Sequence, residues 1–198
     1  MFDYTPDDYK MLSTTKKKNA MRYSSLRGMD VSNGTGVGVA LFTQGCRFHC
    51  PKCFNQNLWD FEGGHSWEAR NDVQVLNMLA DSHVQRFSIL GGEPLEPENL
   101  ENLYTLIQKI KSVHPHIKIW LYTGNTTEKI FDPKNEVSRE NTLRKWIWRT
   151  VDIVVDGQYI DAQRDPSLDY RGSANQRIID VKKSIESGHI ITIDSFRM

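Results

Sequence analysis

The sequence predicts an α/β fold built on a largely parallel sheet. Short apolar runs rich in Val, Ile, Leu and Phe alternate with longer segments of helical periodicity, the pattern of βα units. Residues able to do chemistry gather where those runs end. Cysteines follow the first run, Gly91-Gly92-Glu93 the second, Tyr122-Thr123-Gly124 the third and Asp156-Gly157 the fourth. Right-handed crossovers put all these ends on one rim, where parallel α/β folds carry their active sites.

The elements follow in order. Residues 1–28 read as a polar N-terminal extension, with Lys16-Lys17-Lys18 a solvated face, and residues 29–198 as one domain. Gly34-Thr35-Gly36-Val37-Gly38 precedes a strand and not a helix, so a dinucleotide-binding loop fails and a turn before the first strand is expected. Val37–Thr43 is that strand. Residues 66–82 carry Val73, Leu76, Leu79 and Ala80 at helical spacing, with a start signal at Ser66 and Glu68-Ala69. Phe87–Leu90 is a strand. Pro97–Val113 is a helix with Leu100, Leu103, Leu106, Ile107 and Ile110 on one face and Pro97 in its first turn. Ile117–Tyr122 is a strand, Thr126–Phe131 a helical turn, and Ser138–Thr150 a helix with Leu143, Trp146 and Ile147 inward. Val151–Val155 and Arg177–Val181 read as strands, Lys182–Ser187 as a helical turn closed by Gly188, and Ile190–Ile193 as a last apolar run. The five tryptophans read as packing residues.

Composition narrows the function classes. The 198 residues hold 25 Lys+Arg against 25 Asp+Glu, so no bulk positive field favours nucleic acid or a membrane surface. No apolar run approaches the roughly 20 residues of a membrane span. The acidic start, Met1-Phe2-Asp3-Tyr4, lacks the apolar core of a secretory signal. Three clustered cysteines are an odd number and suit no disulfide framework, so a reducing cytoplasm is the expected setting.

Cys46, Cys50 and Cys53 form C-x3-C-x2-C. A zinc site of Cys3His type could recruit His49 or His65, but His49 adjoins Cys50 and only one C-x-x-C knuckle exists. A redox dithiol at Cys50 and Cys53 would leave Cys46 unexplained. A 4Fe–4S cluster uses all three thiols and leaves one iron open to a substrate. Gly91-Gly92-Glu93-Pro94 is at least a β–α turn. Read functionally, its glycines bare backbone polar groups and Glu93 offers an acceptor to an ammonium group. Asp156 is either a rim acceptor or a turn residue. Arg171-Gly172-Ser173-Ala174-Asn175-Gln176-Arg177 is a surface loop or a cover for an open barrel face.

The cysteine loop followed by Phe54, together with the Gly-Gly-Glu strand end, resembles the radical S-adenosylmethionine superfamily. Asp30–Gly36, Leu41–Cys46, Asn55, Trp59, Tyr122-Thr123-Gly124, Val155-Asp156-Gly157 and the 171–177 run resemble more closely the activating enzymes of anaerobic (class III) ribonucleotide reductases. The resemblance implies an incomplete (βα) barrel of radical S-adenosylmethionine type over residues 29–198. It implies a 4Fe–4S cluster on Cys46, Cys50 and Cys53, with S-adenosyl-L-methionine on the fourth iron. Gly91, Gly92 and Glu93 would contact the methionine amino group. Lys52, through its backbone, and Phe54 would lie against the cofactor, and no other catalytic residue is implied. The implied reaction is reductive cleavage to a 5′-deoxyadenosyl radical, which makes a glycyl radical on the large subunit of the reductase. A low-potential donor such as flavodoxin would supply the electron. Three alternatives stand beside it: an activase of another glycyl radical enzyme such as pyruvate formate-lyase, a small-molecule enzyme such as 7-carboxy-7-deazaguanine synthase, and a metal-binding module without catalysis.

Overall fold

The computed structural model describes Phe2, residues 21–194 and Phe196. Lys16-Lys17-Lys18 lies outside the described residues. The strands are β1 (Arg22–Asp30), β2 (Gly38–Thr43), β3 (His65–Ser66), β4 (Arg86–Gly91), β5 (Lys118–Thr123), β6 (Ile153–Asp156) and β7 (Arg177–Asp180). The helices are α1 (Ala69–Leu79), α2 (Pro97–Val113), α3 (Thr127–Ile130), α4 (Arg139–Thr150) and α5 (Val181–Ser187). One sheet runs in the order β3-β1-β2-β4-β5-β6-β7. Its middle, β2-β4-β5-β6, is parallel, and antiparallel partners flank it on both sides. The sheet does not close on itself, as an incomplete barrel requires. Among the described residues, no helix is long and apolar enough to cross a membrane.

Period-two alternation divides the sheet into two apolar faces. Val39, Leu41, Phe87, Ile89, Ile119, Leu121, Val154 and Ile179 join the main core with the helices. Ala40, Phe42 and Leu90 form one cluster on the other face, and Trp120, Val155 and Ile178 form another, with Tyr122 packed against both. Among the described residues, no α-helix contributes to those two clusters, and two cavities open over that face. Phe2 is buried against Phe131 and Trp148, with ring centroids 5.2 and 4.9 Å apart, and its carbonyl accepts a hydrogen bond from Arg149.

Several expectations are corrected. No strand is expected before Val37, yet Arg22–Asp30 pairs with both β2 and β3. The segment is polar, and residues on both of its faces are half-buried or exposed from Arg22 to Met29, so no alternation marks it. Residues 22–28, read as part of the extension, are therefore in the sheet, and the glycine-rich turn joins β1 to β2. In α1 the inward residues are Val75 and Leu79, while Val73 is exposed. Buried Asp72 fixes this phase by accepting from Trp67 Nε1 at 2.8 Å and Lys109 Nζ at 2.6 Å. In α4 the fully buried ring is Trp148, and Trp146 lies partly exposed over Tyr104 at 4.5 Å. Ile190–Ile193 forms no strand, only a bridge between Ile179 and Thr192.

The glycine-rich turn is organised by a buried cation. Arg86, 1 % exposed, opens β4 and donates to the carbonyls of Asp30, Asn33, Thr35 and Gly36 and to Ser88 Oγ. Asp30 pairs with it at 3.1 Å and also binds Asn33. A Cβ at Gly34, whose φ is +129°, would lie 2.5 Å from Arg86 Cδ, and one at Gly38 would lie 2.7 Å from its Cζ. The glycines let backbone wrap a guanidinium. Arg86→Met should therefore destabilise the chain by about 3–5 kcal/mol in denaturant titration, since it leaves buried carbonyls and a carboxylate unpaired. A loss below about 1 kcal/mol would refute this reading.

Candidate functional site

The cysteine loop is held at its base before it begins to wrap. Thr43 Oγ1 at the end of β2 donates to the Leu90 carbonyl at 3.2 Å. The buried Gln44 side chain donates to the carbonyls of Asn57 and Asp60. Gly45 N donates to the Leu58 carbonyl and Cys46 N to that of Trp59. Gly45 has φ +88°, and a Cβ there would lie 2.4 Å from the Phe61 ring. His49 and Lys52 also take positive φ, 47° and 56°, which curls the loop so that Cys53 N reaches the Cys50 carbonyl at 3.1 Å. Arg47 clamps the loop to the start of α2 through Glu96 and Glu98, each at 2.6 Å, and lies over Phe61.

The second strand end reaches the first by backbone contact. Gly92 N donates to the Thr43 carbonyl and Glu93 N to that of Gly45, both at 2.8 Å. A Cβ at Gly91 would lie 2.6 Å from Thr43 backbone, and one at Gly92 would lie 2.4 Å from the Gly45 carbonyl oxygen. The two glycines thus permit contact between the loops, a role the sequence reading did not assign. The Glu93 side chain then ties in the third strand end. One carboxylate oxygen accepts from Leu95 N and Thr123 Oγ1, and the other accepts from Gly124 N, each at 2.8 Å. Burial outweighs these three donors and pushes the Glu93 carboxyl up to about 7. Glu93 keeps acceptor capacity only on the oxygen facing Gly124. Gly124 in turn admits the Phe48 ring, which a Cβ there would meet at 2.5 Å.

The fourth strand end closes the site. Asp156 is fully buried; its Oδ2 accepts from Thr127 N, Thr127 Oγ1 and Arg177, and its Oδ1 accepts from Arg177 Nε, so it braces the rim. Gln176 accepts from Gly172 N and Ser173 N and donates to the Gly157 carbonyl, while Asn175 donates to that of Gln158. The 171–177 run therefore fastens the loop after β6. That loop meets the cysteine loop through Lys52–Asp161 at 2.8 Å and Phe54 against Tyr159 at 5.5 Å.

Together these loops line a cavity of about 160 Å³ that contains Cys46, Cys50, Cys53, Gly91, Gly92, Glu93, Thr123 and Gly124. The predicted rim is assembled. Two of the residues singled out from sequence stand elsewhere: the Lys52 side chain points to Asp161, and Phe54, 66 % exposed, lines the neighbouring cavity. Arg47 and Phe48, which the sequence reading passed over, prove to be the loop's clamp and lid. The only sequence signal for them is that they sit between the cysteines.

The site suits an iron–sulfur cube. On a cube each thiolate ligates its own iron, and three free cysteines line this one cavity. Asn55 N donates toward Cys53 Sγ at 3.4 Å. Such donors stabilise cluster sulfurs. No α-helix opens at Cys50, and burial with the nearby Cys53 raises its thiol, the reverse of an activated redox cysteine. Burial pushes the Cys46 thiol up to about 11, so a metal bound there would have to displace its proton.

Gly92→Ala should lose most of its iron and sulfide on anaerobic reconstitution, because the added methyl forces the Gly45 carbonyl away from the loop; wild-type loading would overturn that role. Glu93 also links stability to pH. Below pH 4.5 its carboxyl is protonated whether the chain is folded or unfolded. As pH rises the unfolded chain ionises first, so stability falls until the folded carboxyl ionises near 7. Cluster-free wild type should lose up to roughly 3 kcal/mol between pH 4 and 8 relative to Glu93→Gln. Parallel pH profiles from denaturant titration would contradict this.

Residues 32–179 match the 4Fe-4S single cluster domain family. The chain is 36% identical over 160 residues to the anaerobic ribonucleoside-triphosphate reductase-activating protein of Vibrio cholerae, spanning 80% of this chain and 97% of that one. It is 34% identical to the protein of that name in Haemophilus influenzae, over 80% of this chain and 97% of the relative. For the Escherichia coli K12 protein of the same name the identity is 31%, over 79% and 96%. The chain belongs to the family of anaerobic ribonucleoside-triphosphate reductase-activating proteins, and residues 32–179 are its 4Fe-4S single cluster domain.

Proposed function

We propose that this chain activates an anaerobic ribonucleotide reductase by reductive cleavage of S-adenosyl-L-methionine at a 4Fe–4S cluster held by Cys46, Cys50 and Cys53. The observation that carries the reading is one cavity lined jointly by the three thiols and by Gly91, Gly92 and Glu93. A 4Fe–4S cluster held by Cys46, Cys50 and Cys53 would supply the single electron for reductive cleavage of S-adenosyl-L-methionine to methionine and a 5′-deoxyadenosyl radical, whose target would be the α-hydrogen of a glycine on the reductase large subunit.

The chain's own residues position and shield. Three thiolates leave one coordination place on a cube for a substrate. Beside it, the Gly91 and Gly92 backbone and the remaining acceptor of Glu93 suit the amino group of a methionine moiety. Phe48, seated on Gly124, and Tyr159, beside Phe54, flank the cavity with aromatic surface, which keeps water from a reactive carbon radical. Lys52 contributes through its backbone turn, since its ammonium pairs with Asp161. The electron donor on this reading is a low-potential protein such as flavodoxin, and the setting is cytoplasmic.

The test is electron paramagnetic resonance on anaerobically reconstituted protein with reductant, S-adenosyl-L-methionine and the reductase of the same organism. A glycyl radical doublet should appear only when both proteins are present. Cys50→Ser should lose cluster and doublet together. Deoxyadenosine without a doublet would overturn the activase reading in favour of a small-molecule enzyme, and a fully loaded, active Cys50→Ser would overturn the ligand assignment.

A further inference from the structure

Phe48 and Glu93 line both the cluster cavity and a separate cavity of about 300 Å³ that holds none of the three thiols. The rest of its wall includes Arg47, Glu96 and, from α3 and α4, Lys129 and Arg144. Its two acidic residues are already committed. Glu96 pairs with the Arg47 guanidinium at 2.6 Å and accepts from Arg47 N at 2.8 Å. Glu93 accepts from Leu95, Thr123 and Gly124. Two cations remain. Arg144 donates from Nε to the Leu95 carbonyl at 3.0 Å and from Nη1 to Asn141 Oδ1 at 2.8 Å. The Lys129 ammonium lies 5.7 Å from the centroid of the Phe48 ring. These partners are neutral, so two positive charges face one cavity without a paired carboxylate among the described residues. Burial outweighs the more distant Glu96, Glu93, Glu140 and Glu98 and pulls the Arg144 guanidinium below its ordinary range, as expected of a cation short of countercharge.

The lining defines what fits. A guanidinium carries five N–H donors and an ammonium three, so Arg144 Nη2 and Lys129 Nζ keep donors to give. A phosphate group brings three acceptor oxygens and a charge of about −2 at neutral pH, which answers both cations; a carboxylate would answer one. Arginine and lysine are the usual pair for such oxyanions. Cavities for small organic ligands begin at about 300 Å³, so there is room for more than the bare ion. The Phe48 ring and Ile130 give an attached group an apolar wall. S-adenosylmethionine suits this place poorly, because its sulfonium and ammonium would meet the positive excess.

We propose that this cavity binds a small phosphate ester, its phosphate held by Lys129 and Arg144 and its organic group against Phe48. The site is distinct from the cluster cavity and does not depend on the activase reading. Since Arg47 and Phe48 lie between Cys46 and Cys50, the occupant rests directly against the cysteine loop.

The probe is phenyl phosphate, with inorganic phosphate as its reference, each titrated calorimetrically into anaerobically reconstituted protein. Phenyl phosphate should saturate one site per chain with a dissociation constant below about 1 mM and should bind more tightly than inorganic phosphate. Lys129→Met and Arg144→Met should each weaken it about tenfold or more, as expected for a lost charge-assisted hydrogen bond. Iron and sulfide content and S-adenosylmethionine affinity should stay at wild-type level. Arg144 also holds the Leu95 carbonyl, so Lys129→Met, at an exposed position, keeps the test independent of folding. No saturation, or wild-type affinity in Lys129→Met, would overturn the site. Affinity for inorganic phosphate equal to or above that for phenyl phosphate would overturn the ester. A parallel loss of S-adenosylmethionine affinity would place the two cations in the cofactor site and overturn the proposal as well. A protein that binds phenyl phosphate as expected but gives no glycyl radical doublet would remove the activase reading and leave this site standing.

Discussion

Three strand ends meet at Glu93. Its backbone N–H holds the Gly45 carbonyl at the foot of the cysteine loop, and its carboxylate holds Thr123 and Gly124 at the end of β5. Parallel strands bring their C-terminal ends to one rim but do not by themselves set the loops in register. A single buried residue does so here, by using both its main chain and its side chain. The cost is a carboxylate in a dry environment, visible in the upward displacement of its titration. The cysteine loop inherits its position from this contact and its orientation from Arg47 clamped to Glu96 and Glu98.

Glycine acts throughout the rim as permission for backbone to approach backbone. Gly91 and Gly92 lie so close to Thr43 and Gly45 that a methyl group would overlap main-chain atoms, which cannot yield as a flexible side chain would. At the opposite end of β2, Gly34 and Gly38 make the same allowance for Arg86. A glycine run that looks like a ligand loop can therefore be scaffold, and the Gly-Gly-Glu run is both: its glycines bring the loops together, and the cavity they create is where the thiols converge.

Much of the fold was legible because the parallel strands are buried on both faces and read as continuous apolar runs. β2, β4, β5 and β6 fall within a residue or two of their predicted limits. β1 was not legible, since a strand half-buried or exposed on both faces needs no apolar alternation. The phase of α1 was misread because Asp72, a charged residue, is what the helix buries, in exchange for hydrogen bonds from Trp67 and Lys109. At the site, the thiols and the Gly-Gly-Glu run were legible from spacing. Arg47 and Phe48 were not, because their partners Glu96, Glu98 and Gly124 lie far along the chain.

The sequence by itself determined the chemistry available: three thiols within one loop, one short of the usual complement for a cube, and four strand ends carrying polar or glycine residues. Such facts are local, and covalent spacing is enough to state them. Tertiary structure decided what each residue is for. It made Asp156 a brace for the rim and turned the Lys52 ammonium away to Asp161. These outcomes depend on which donors and acceptors find each other across strands, and burial enforces that pairing only once the sheet has formed.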